Sequence, residues 1–385
     1  MSLGSVAPPL LTRRLTLLLV AAFGALSGFY LLVSVVPLYA AGAGGGDFGA
    51  GLATGAMMLS TVLTELAVPR LLAGLGHRTT FGFGLVLLGV PALALILAQA
   101  TTLILVVSLV RGAGLGIVVV VGSALAAELV PGRRRAEGLA LYGVVVGVPA
   151  VVGLPAGIWL SERFGFTPVF AVAGAVALAP LVVLPALPAK PGERGRPGSV
   201  VGAFRTRGLA RPTVIFTAIT FGAGVFATFL PIAVPAETRG PAAVALLVQA
   251  LTMSAARFAA GRFGDRRGSG PLLVPAVLVS AAGAALALWL DSPLATIAGM
   301  ALFGAGFGAA QNVTLTLMIE RAGNADHGPT SALWNLAYDA GFGIGAVGVG
   351  LVAEPFGYLT GFALTAAVLA GALLPAVADR RERTA

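Results

Sequence analysis

The sequence predicts an all-α integral membrane protein whose twelve transmembrane helices form two parallel six-helix repeats. Three observations lead to this prediction: few charged residues, long apolar segments, and a repeat of one half of the chain in the other. Hydrophobic residues make up 58% of the 385 residues and charged residues 10%, against about 25% charged in an average soluble protein. Several uncharged stretches reach the ~20 residues that a helix needs to cross a bilayer.

Apolar runs and the breakers between them divide the chain into twelve predicted spans. The spans of the first half are 15–40, 49–70, 79–99, 102–129, 136–160 and 167–188. Those of the second half are 209–233, 241–262, 271–290, 294–320, 328–353 and 358–378. The predicted domains are therefore two six-helix bundles, 1–189 and 209–385, joined by a polar linker, 190–208.

The repeat is clearest at residues 111–166, which align without a gap on 303–358 at an offset of 192 residues. The aligned pairs include Gly112/Gly304, Gly114/Gly306, Gly116/Gly308 and Glu128/Glu320. The same offset relates 69–76 to 261–268. A shared register of this length indicates two homologous halves that enter the membrane in the same orientation.

Basic residues set the predicted orientation. Nearly all of them fall on one side of the spans, and the other side holds only Arg163 and Arg239. Because loops rich in Lys and Arg stay in the cytoplasm, both termini and the linker are predicted to be cytoplasmic. The Gly, Ala, Val and Arg bias, with a single Lys, is typical of a GC-rich bacterial genome, so the expected location is the bacterial cytoplasmic membrane.

Several other classes of protein are excluded. The net charge of +9 lies in short loops, which is a topology signal and does not indicate a nucleic-acid partner. The chain has no cysteine, and its two histidines, His77 and His327, are predicted in loops, so no metal site and no cofactor are expected. An enzyme would need a nucleophile with a base, or a set of metal ligands, at the membrane face, and the sequence shows no such cluster. The sequence contains no P-loop of the G-x-x-x-x-G-K type, so ATP is not expected to be the direct energy source.

Three motifs carry a family resemblance. GRFGDRRG, residues 261–268, resembles the loop between the second and third helices of major facilitator superfamily transporters. Arg111 resembles the arginine of the family's fourth helix, and WNLAYDAGFGIG, residues 334–345, resembles the helix-11 signature of the arabinose-efflux-like branch. The whole chain thus resembles a major facilitator permease of the bacterial drug-efflux-like and arabinose-efflux-like branch.

The resemblance implies a gating loop that holds neighbouring helix ends in one state of the transport cycle. The predicted gating residues are Gly261, Asp265, Arg266, Gly268, Glu128 and Glu320. Asp265 is expected to brace the end of the tenth span near Glu320. The first half departs from the motif, with Ala73 at the aspartate position, so a weaker latch is expected there. The alternative is a solvated loop whose arginines only set the topology.

Two charged residues are predicted near the membrane midplane, Arg111 at about 14 Å depth and Asp339 at about 16 Å from the opposite side. A charge there costs roughly 2.5–3.5 kcal/mol, which favours a functional role. The Asp339 carboxyl can take up and release a proton as the hydration of its cavity changes, with Asn335 one turn away. Alternatively, Asp339 and Arg111 form a fixed pair. Glu65 is read as an interfacial residue, or as an alternative proton carrier.

Few other polar or aromatic side chains are predicted within the spans. Those expected to line a central cavity are Tyr30, Tyr142, Phe226, Gln249, Gln311, Asn312 and Trp334. So few hydrogen-bonding groups favour an amphipathic or hydrophobic substrate over a sugar. The predicted function is proton-coupled export of a small organic compound by a monomeric secondary transporter that alternates between two states. The alternative is an importer or facilitator of a small metabolite with the same fold.

Overall fold

Every secondary-structure element in the described part of the chain is a helix. The computed structural model describes residues 11–130, 134–189, 204, 208–234, 239–322 and 327–384. Of the predicted linker 190–208, only residues 204 and 208 fall within these ranges. The predicted basic loop at 133–135 falls only partly within them.

The helices before the linker are α1 (Arg13–Val33), α2 (Val35–Ala40), α3 (Gly46–Ala94), α4 (Thr101–Leu129), α5 (Arg135–Phe164) and α6 (Phe166–Leu178). A π-helical turn, Ala41–Gly45, joins α2 to α3, and a 3₁₀ segment, Ala179–Ala186, extends α6. The helices after the linker are α7 (Ala210–Ala233), α8 (Arg239–Arg267), α9 (Leu273–Leu286), α10 (Pro293–Ala322), α11 (His327–Gly371) and α12 (Leu373–Thr384). A short 3₁₀ turn, Gly270–Leu272, precedes α9.

Single glycines reverse the chain inside α3 and α11. Gly76 has φ of 75° and Gly357 has φ of 79°, values that favour glycine because a Cβ atom would be strained there. Each of the two helices therefore consists of two limbs, 46–75 and 77–94 in α3, and 327–356 and 358–371 in α11. The repeat equivalents, Gly268 with φ of 77° and Gly165 with φ of 80°, share this conformation, so the repeat extends to the backbone.

The surface of the bundle is apolar. Large hydrophobic side chains such as Leu63, Trp159 and Leu294 are exposed, and the described chain contains eight helical stretches long and apolar enough to cross a membrane. One stretch, Arg13–Ala94, has 82 residues, and as a straight helix it would be roughly 120 Å long, several times the thickness of a bilayer. The protein is therefore a multi-pass membrane protein.

Glycine contacts pack the helices of both halves in the same way. A Cβ atom at Gly112 of α4 would overlap the backbone carbonyl oxygen of Met57 in α3, so only glycine permits this approach. The repeat equivalent, Gly304 of α10, lies in the same way against the carbonyl of Gln249 in α8. Positions 57 and 249 differ by the same 192 residues as the two glycines. Small residues thus bring the helices together in lipid by backbone contact.

The two halves contact each other toward one end of the bundle. Gly51 in the first limb of α3 lies against the Ala346 carbonyl of α11, and Gly343 of α11 lies against Met58. Deeper in the same region, the Thr54 and Thr228 hydroxyls form a buried hydrogen bond of 3.0 Å between α3 and α7. We call this the closed end, formed by residues 41–48, 162–166 and 354–358, and the opposite end, with residues 70–78 and 264–272, the open end.

Candidate functional site

Arg111 is the largest fully buried polar side chain of the described structure. It lies in the middle of α4, with 1% of its surface exposed. Its Nε and Nη2 atoms are buried and have no hydrogen-bond partner among the described residues. Since an unpaired cation in an apolar interior is strongly unfavourable, the fold maintains Arg111 at a cost in stability.

Asp339 lies in the first limb of α11, half-buried, on the wall of a cavity of about 740 Å³ beside Met58 and Val62 of α3. Within the described chain, Asp339 forms neither an ion pair nor a hydrogen bond. The alternative of a fixed Arg111–Asp339 pair is therefore wrong for this conformation. Equal predicted depth along the membrane normal does not imply contact, because it says nothing about the lateral distance between the two side chains.

A group of titratable side chains from both halves surrounds Asp339. Glu65 of α3 is half-buried beside Gly116 and lies close enough to Asp339 to interact with it electrostatically. Tyr30 of α1 is in electrostatic range of both Asp339 and Arg257 of α8. Glu65 therefore lies at the contact between the halves, which favours its reading as an alternative proton carrier over that of an interfacial residue.

The remaining residues of this region are Tyr338 and Asn335. Tyr338 precedes Asp339 in α11 and interacts with Tyr30, Asp339 and Arg257. Asn335 is half-buried one helical turn before Asp339. The region thus brings together side chains of α1, α3, α8 and α11.

The repeat shows that the fold does not require the charges of Arg111 and Asp339. At the offset of 192 residues, Arg111 corresponds to Phe303, which is fully buried, and Asp339 corresponds to Gly147. The same position of the other half is thus occupied by an uncharged residue. Glu65 corresponds to Arg257, so this pair of positions carries opposite charges.

Some predicted cavity residues lie in the packed core instead. Phe226 is fully buried and packs edge-on against Phe303 and against Phe362, so its prediction as a cavity residue is wrong. Tyr142 is 8% exposed and lies against Gly122 of α4, also within a packed interface.

The other predicted cavity residues are engaged in contacts within the second half. Gln249 is buried against Gly304, and the Gln311 side-chain amide donates to the Met253 sulfur at 3.4 Å. The Trp334 indole donates to the Thr314 hydroxyl at 3.1 Å and stacks on Phe216. Asn312 is half-buried beside Gly261, which places one of the gating residues against α10.

The predicted brace at the open end is not formed in this conformation. Asp265 and Arg266 are exposed, and within the described residues neither forms a hydrogen bond or an ion pair. Glu320 is exposed as well, so the expected contact between Asp265 and the end of α10 is absent here. Gly268, with its positive φ, does form the turn at the end of α8.

Two ion pairs at the open end were not predicted from the sequence. His77 Nε2 lies 3.2 Å from Glu128 Oε1, and His77 is helical and buried, so its prediction in a loop is wrong. The error arose because the turn at Gly76 occupies one residue, and the chain is helical on both sides. In the second half, Arg321 forms two hydrogen bonds of 2.8 Å with the carboxylate of the buried Asp379.

Polar contacts between the halves at the closed end were also missed. The Tyr358 hydroxyl donates to the Asp47 carboxylate, and the Phe48 backbone N–H donates to Glu354 at 3.0 Å. On the opposite side of the interface, Glu162 interacts electrostatically with Arg239. The signal was in the repeat, since Glu162 corresponds to Glu354 and Asp47 to Arg239 at the offset of 192 residues.

A bundle of apolar helices in two similar halves, with Arg111 buried without a full set of partners and Asp339 on a cavity wall at their contact, has the architecture of a membrane transporter. Comparison with sequence families agrees. The profile of the Major Facilitator Superfamily matches residues 18–346 and 213–384, and the chain belongs to this family. No curated protein sequence matches the chain.

Solved transporters share the fold at low sequence identity. The nucleoside transporter NupG superposes with a TM-score of 0.74 at 12% identity, over 96% of this chain and 99% of that chain. A point mutant of NupG superposes with a TM-score of 0.78 at 9% identity, over 95% of this chain and 100% of that chain. A bacterial homolog of the human lysosomal transporter Spinster, in an inward-facing and occupied conformation, superposes with a TM-score of 0.76 at 13% identity, over 98% of each chain. At such identities the likeness shows the fold alone.

Proposed function

We propose that the protein is a proton-coupled secondary transporter that exports a small amphipathic or hydrophobic organic compound. The observation that supports it most is the asymmetry of the repeat, in which Arg111 and Asp339 correspond to Phe303 and Gly147. Buried charges inside a membrane are costly and mark substrate or proton pathways. Because the other half folds with an aromatic residue and a glycine at these positions, a role in packing does not account for the charges.

The proposed topology has twelve spans in two bundles, 1–189 and 209–385, with both termini and the 190–208 linker in the cytoplasm of a bacterial cell. The reversals at Gly76 and Gly357 support this count, because they divide two of the long apolar stretches into separate limbs. The resemblance of the loop at 261–268 to its counterpart in drug-efflux-like transporters supports the assignment to that branch.

The proposed mechanism is alternating access by rocking of the two bundles around a central site. Contacts between the halves at the closed end support an inward-facing state, with the open end toward the cytoplasm. Gly143 and Gly147 of α5 face open space, as expected if the halves are apart there. In the outward-facing state the contacts of Asp47 and Glu354 break, and Asp265 and Arg266 gain partners at the other end.

The proposed proton carrier is Asp339, with Glu65 as its neighbour. Two carboxylates in electrostatic range repel each other when both are charged, so the pair favours a state that holds a proton. A cationic substrate that approaches Asp339 favours the charged carboxylate and releases that proton, which couples the two movements. Arg111 is proposed to take part in proton coupling together with Asp339, and Asn335 to orient the substrate.

A second candidate function is import or facilitated diffusion of a small metabolite. The fold shared with a nucleoside transporter favours it, since the same architecture serves a polar solute there. The second candidate predicts transport that does not depend on Asp339 titration.

Proton flux in liposomes that contain the pure protein and a pH-sensitive dye tests the proposal. The compounds to be added are lipophilic cations, uncharged antibiotics, nucleosides and sugars. Proton movement triggered by an amphipathic compound supports coupled export. Solute uptake without proton movement, for a nucleoside or any other compound, contradicts it and favours the second candidate.

A further inference from the structure

The cavity next to Asp339 is a groove on the lipid-facing side of the bundle. Its walls are the first limb of α3, the N-terminal part of α4 and the first limb of α11. Leu59 from α3, Leu109 from α4 and Ile344 from α11 line it, with 56%, 40% and 58% of their surfaces exposed. Large apolar side chains so exposed on a membrane-spanning helix face hydrocarbon, so this lateral groove opens toward the bilayer.

The dimensions of the lateral groove suit one alkyl chain. The groove follows α11 from Gly348 to Asp339, a distance of roughly 14 Å at the rise of an α-helix. Its volume of about 740 Å³ lies within the ~300–1,000 Å³ of pockets that bind organic ligands. Along most of this length the walls are Leu, Val, Ile, Met, Ala and Gly residues, whose side chains offer no strong hydrogen bonds to a polar ligand.

Asp339, at one end of the lateral groove, is the one ionisable residue among those that line it. The titratable groups that interact electrostatically with Asp339 are Glu65 of α3, Tyr30 of α1 and Tyr338 of α11. The two tyrosines also interact with Arg257 of α8. Asp339 and Glu65 are half-buried, whereas the Arg257 side chain is exposed. The inner end of the groove is therefore acidic, and its complement is a cation.

We propose that the lateral groove is the entry site for a single-chain cationic amphiphile, which arrives from the bilayer with its alkyl tail along α11 and its head group at Asp339. The proposal rests on the function proposed above and names the substrate class and its route. The position of Asp339 supports this route, because it lines the lateral groove and also interacts with Tyr30 and Glu65 at the contact between the halves. A head group at Asp339 thus reaches the centre of the transporter while its tail remains in the apolar groove.

Equilibrium binding of tritiated dodecyltrimethylammonium to the protein in phosphatidylcholine nanodiscs, with no pH gradient, tests the proposal. Dodecyl sulfate and dodecanol, which have the same tail, serve as anionic and neutral competitors. Ala340→Phe fills the lateral groove next to Asp339. Leu351→Phe adds the same ring to α11 at an exposed position outside the groove, and is the matched control.

The expected result is saturable binding that weakens at least tenfold in Ala340→Phe and in Asp339→Asn, and stays within twofold in Leu351→Phe. Dodecyl sulfate and dodecanol should not compete. Unchanged binding in Ala340→Phe, or equal competition by dodecyl sulfate, would overturn the proposal. The second outcome would mean that the groove accepts any lipid-like chain. If Ala340→Phe does not fold, Ala56→Phe fills the groove from its α3 wall and replaces it in the comparison.

Binding and proton flux separate the two proposals. Groove binding without proton movement leaves the entry site standing and contradicts the coupled mechanism. Proton movement driven by a compound whose affinity is unchanged in both groove-filling variants leaves coupled transport standing and contradicts the entry site.

Discussion

Tyr358 donates a hydrogen bond to Asp47 across the interface between the halves, and the residue after Asp47, Phe48, is bonded through its N–H to Glu354. Both contacts join the start of α3 to the turn at Gly357 in α11. For the closed end to open, these contacts must break. They therefore contribute to the free-energy difference between the two states of the transporter.

Tyr358→Phe should shift the protein toward the state with the closed end open. Loss of one hydrogen bond is worth about 1 kcal/mol, which corresponds to a change of about fivefold in the ratio of the two states. The measurement is the distance distribution between spin labels at Gly42→Cys and Leu359→Cys, which can be attached selectively because the chain has no cysteine.

Tyr39→Phe is the matched control for that experiment. Tyr39 lies at the same end, but it packs against Phe166 and Phe170 within the first half. It should leave the distances unchanged. An equal shift in both variants would mean that the hydroxyl of Tyr358 has no special part in closing this end.

Asp339→Asn should abolish proton-driven transport and leave folding intact. The amide is close in shape to the carboxyl but cannot exchange a proton, so uphill movement of the substrate is lost while downhill exchange persists. Asp291→Asn, at an exposed position between α9 and α10, is the control and should transport at the normal rate. Uphill transport at wild-type rates in Asp339→Asn would show that this residue has no part in coupling.

Arg111→Phe should raise thermal stability and eliminate transport. Phenylalanine occupies the equivalent position of the repeat, and it removes the desolvation cost of the unpaired guanidinium. Replacement of even a buried ion pair by packed apolar residues is often neutral or stabilising, by about 1–4 kcal/mol. Thermal unfolding in detergent and transport in liposomes are the two readouts. Arg111→Lys, which keeps the charge, should retain part of the activity. A less stable but active Arg111→Phe would mean that Arg111 stabilises the fold.

Gly112→Ala and Gly304→Ala should each destabilise the protein, by roughly 1–3 kcal/mol or more, because the added methyl group would overlap a backbone carbonyl of the neighbouring helix. Gly143→Ala is the control, since no atom lies within 4 Å of its Cβ position, and it should be tolerated. The thermal midpoint of each variant checks the difference. Equal midpoints for Gly112→Ala and Gly143→Ala would contradict the packing described here.

The location of the helices and of the buried charges could be predicted from the sequence, because both depend on one coordinate, the depth along the membrane normal. Long apolar runs and a rise of ~1.5 Å per residue are enough to predict that Arg111 and Asp339 lie well inside their helices, where the structure has them buried and half-buried. The contacts of each residue depend on a second coordinate, the direction of the side chain around its helix. This is why the sequence leaves open whether Arg111 and Asp339 pair, and why it predicts Phe226 in a cavity that this residue does not line.

The polar contacts at the closed end show what the repeat adds to a prediction from sequence. Asp47 and Arg239 differ in charge but occupy equivalent positions. Arg239 interacts with Glu162, and the residue after Asp47, Phe48, donates its N–H to the equivalent glutamate, Glu354. A search for charged pairs that obey the offset of 192 residues would have identified this region. His77 would still have been missed, since its repeat equivalent is Ser269 and its partner, Glu128, lies fifty-one residues further along the chain.

The contacts of Gly112 on Met57 and of Gly304 on Gln249 have a mechanical consequence. Helices whose backbones touch without intervening side chains have no room to slide, so α3 with α4, and α8 with α10, should move as rigid levers. Pairs of probes placed within one lever would then report a constant separation at every stage of turnover. All of the motion would be concentrated in the few side-chain contacts between these rigid helix pairs. A small ligand or a proton that binds at such a contact would therefore have the largest effect on the equilibrium between the two states.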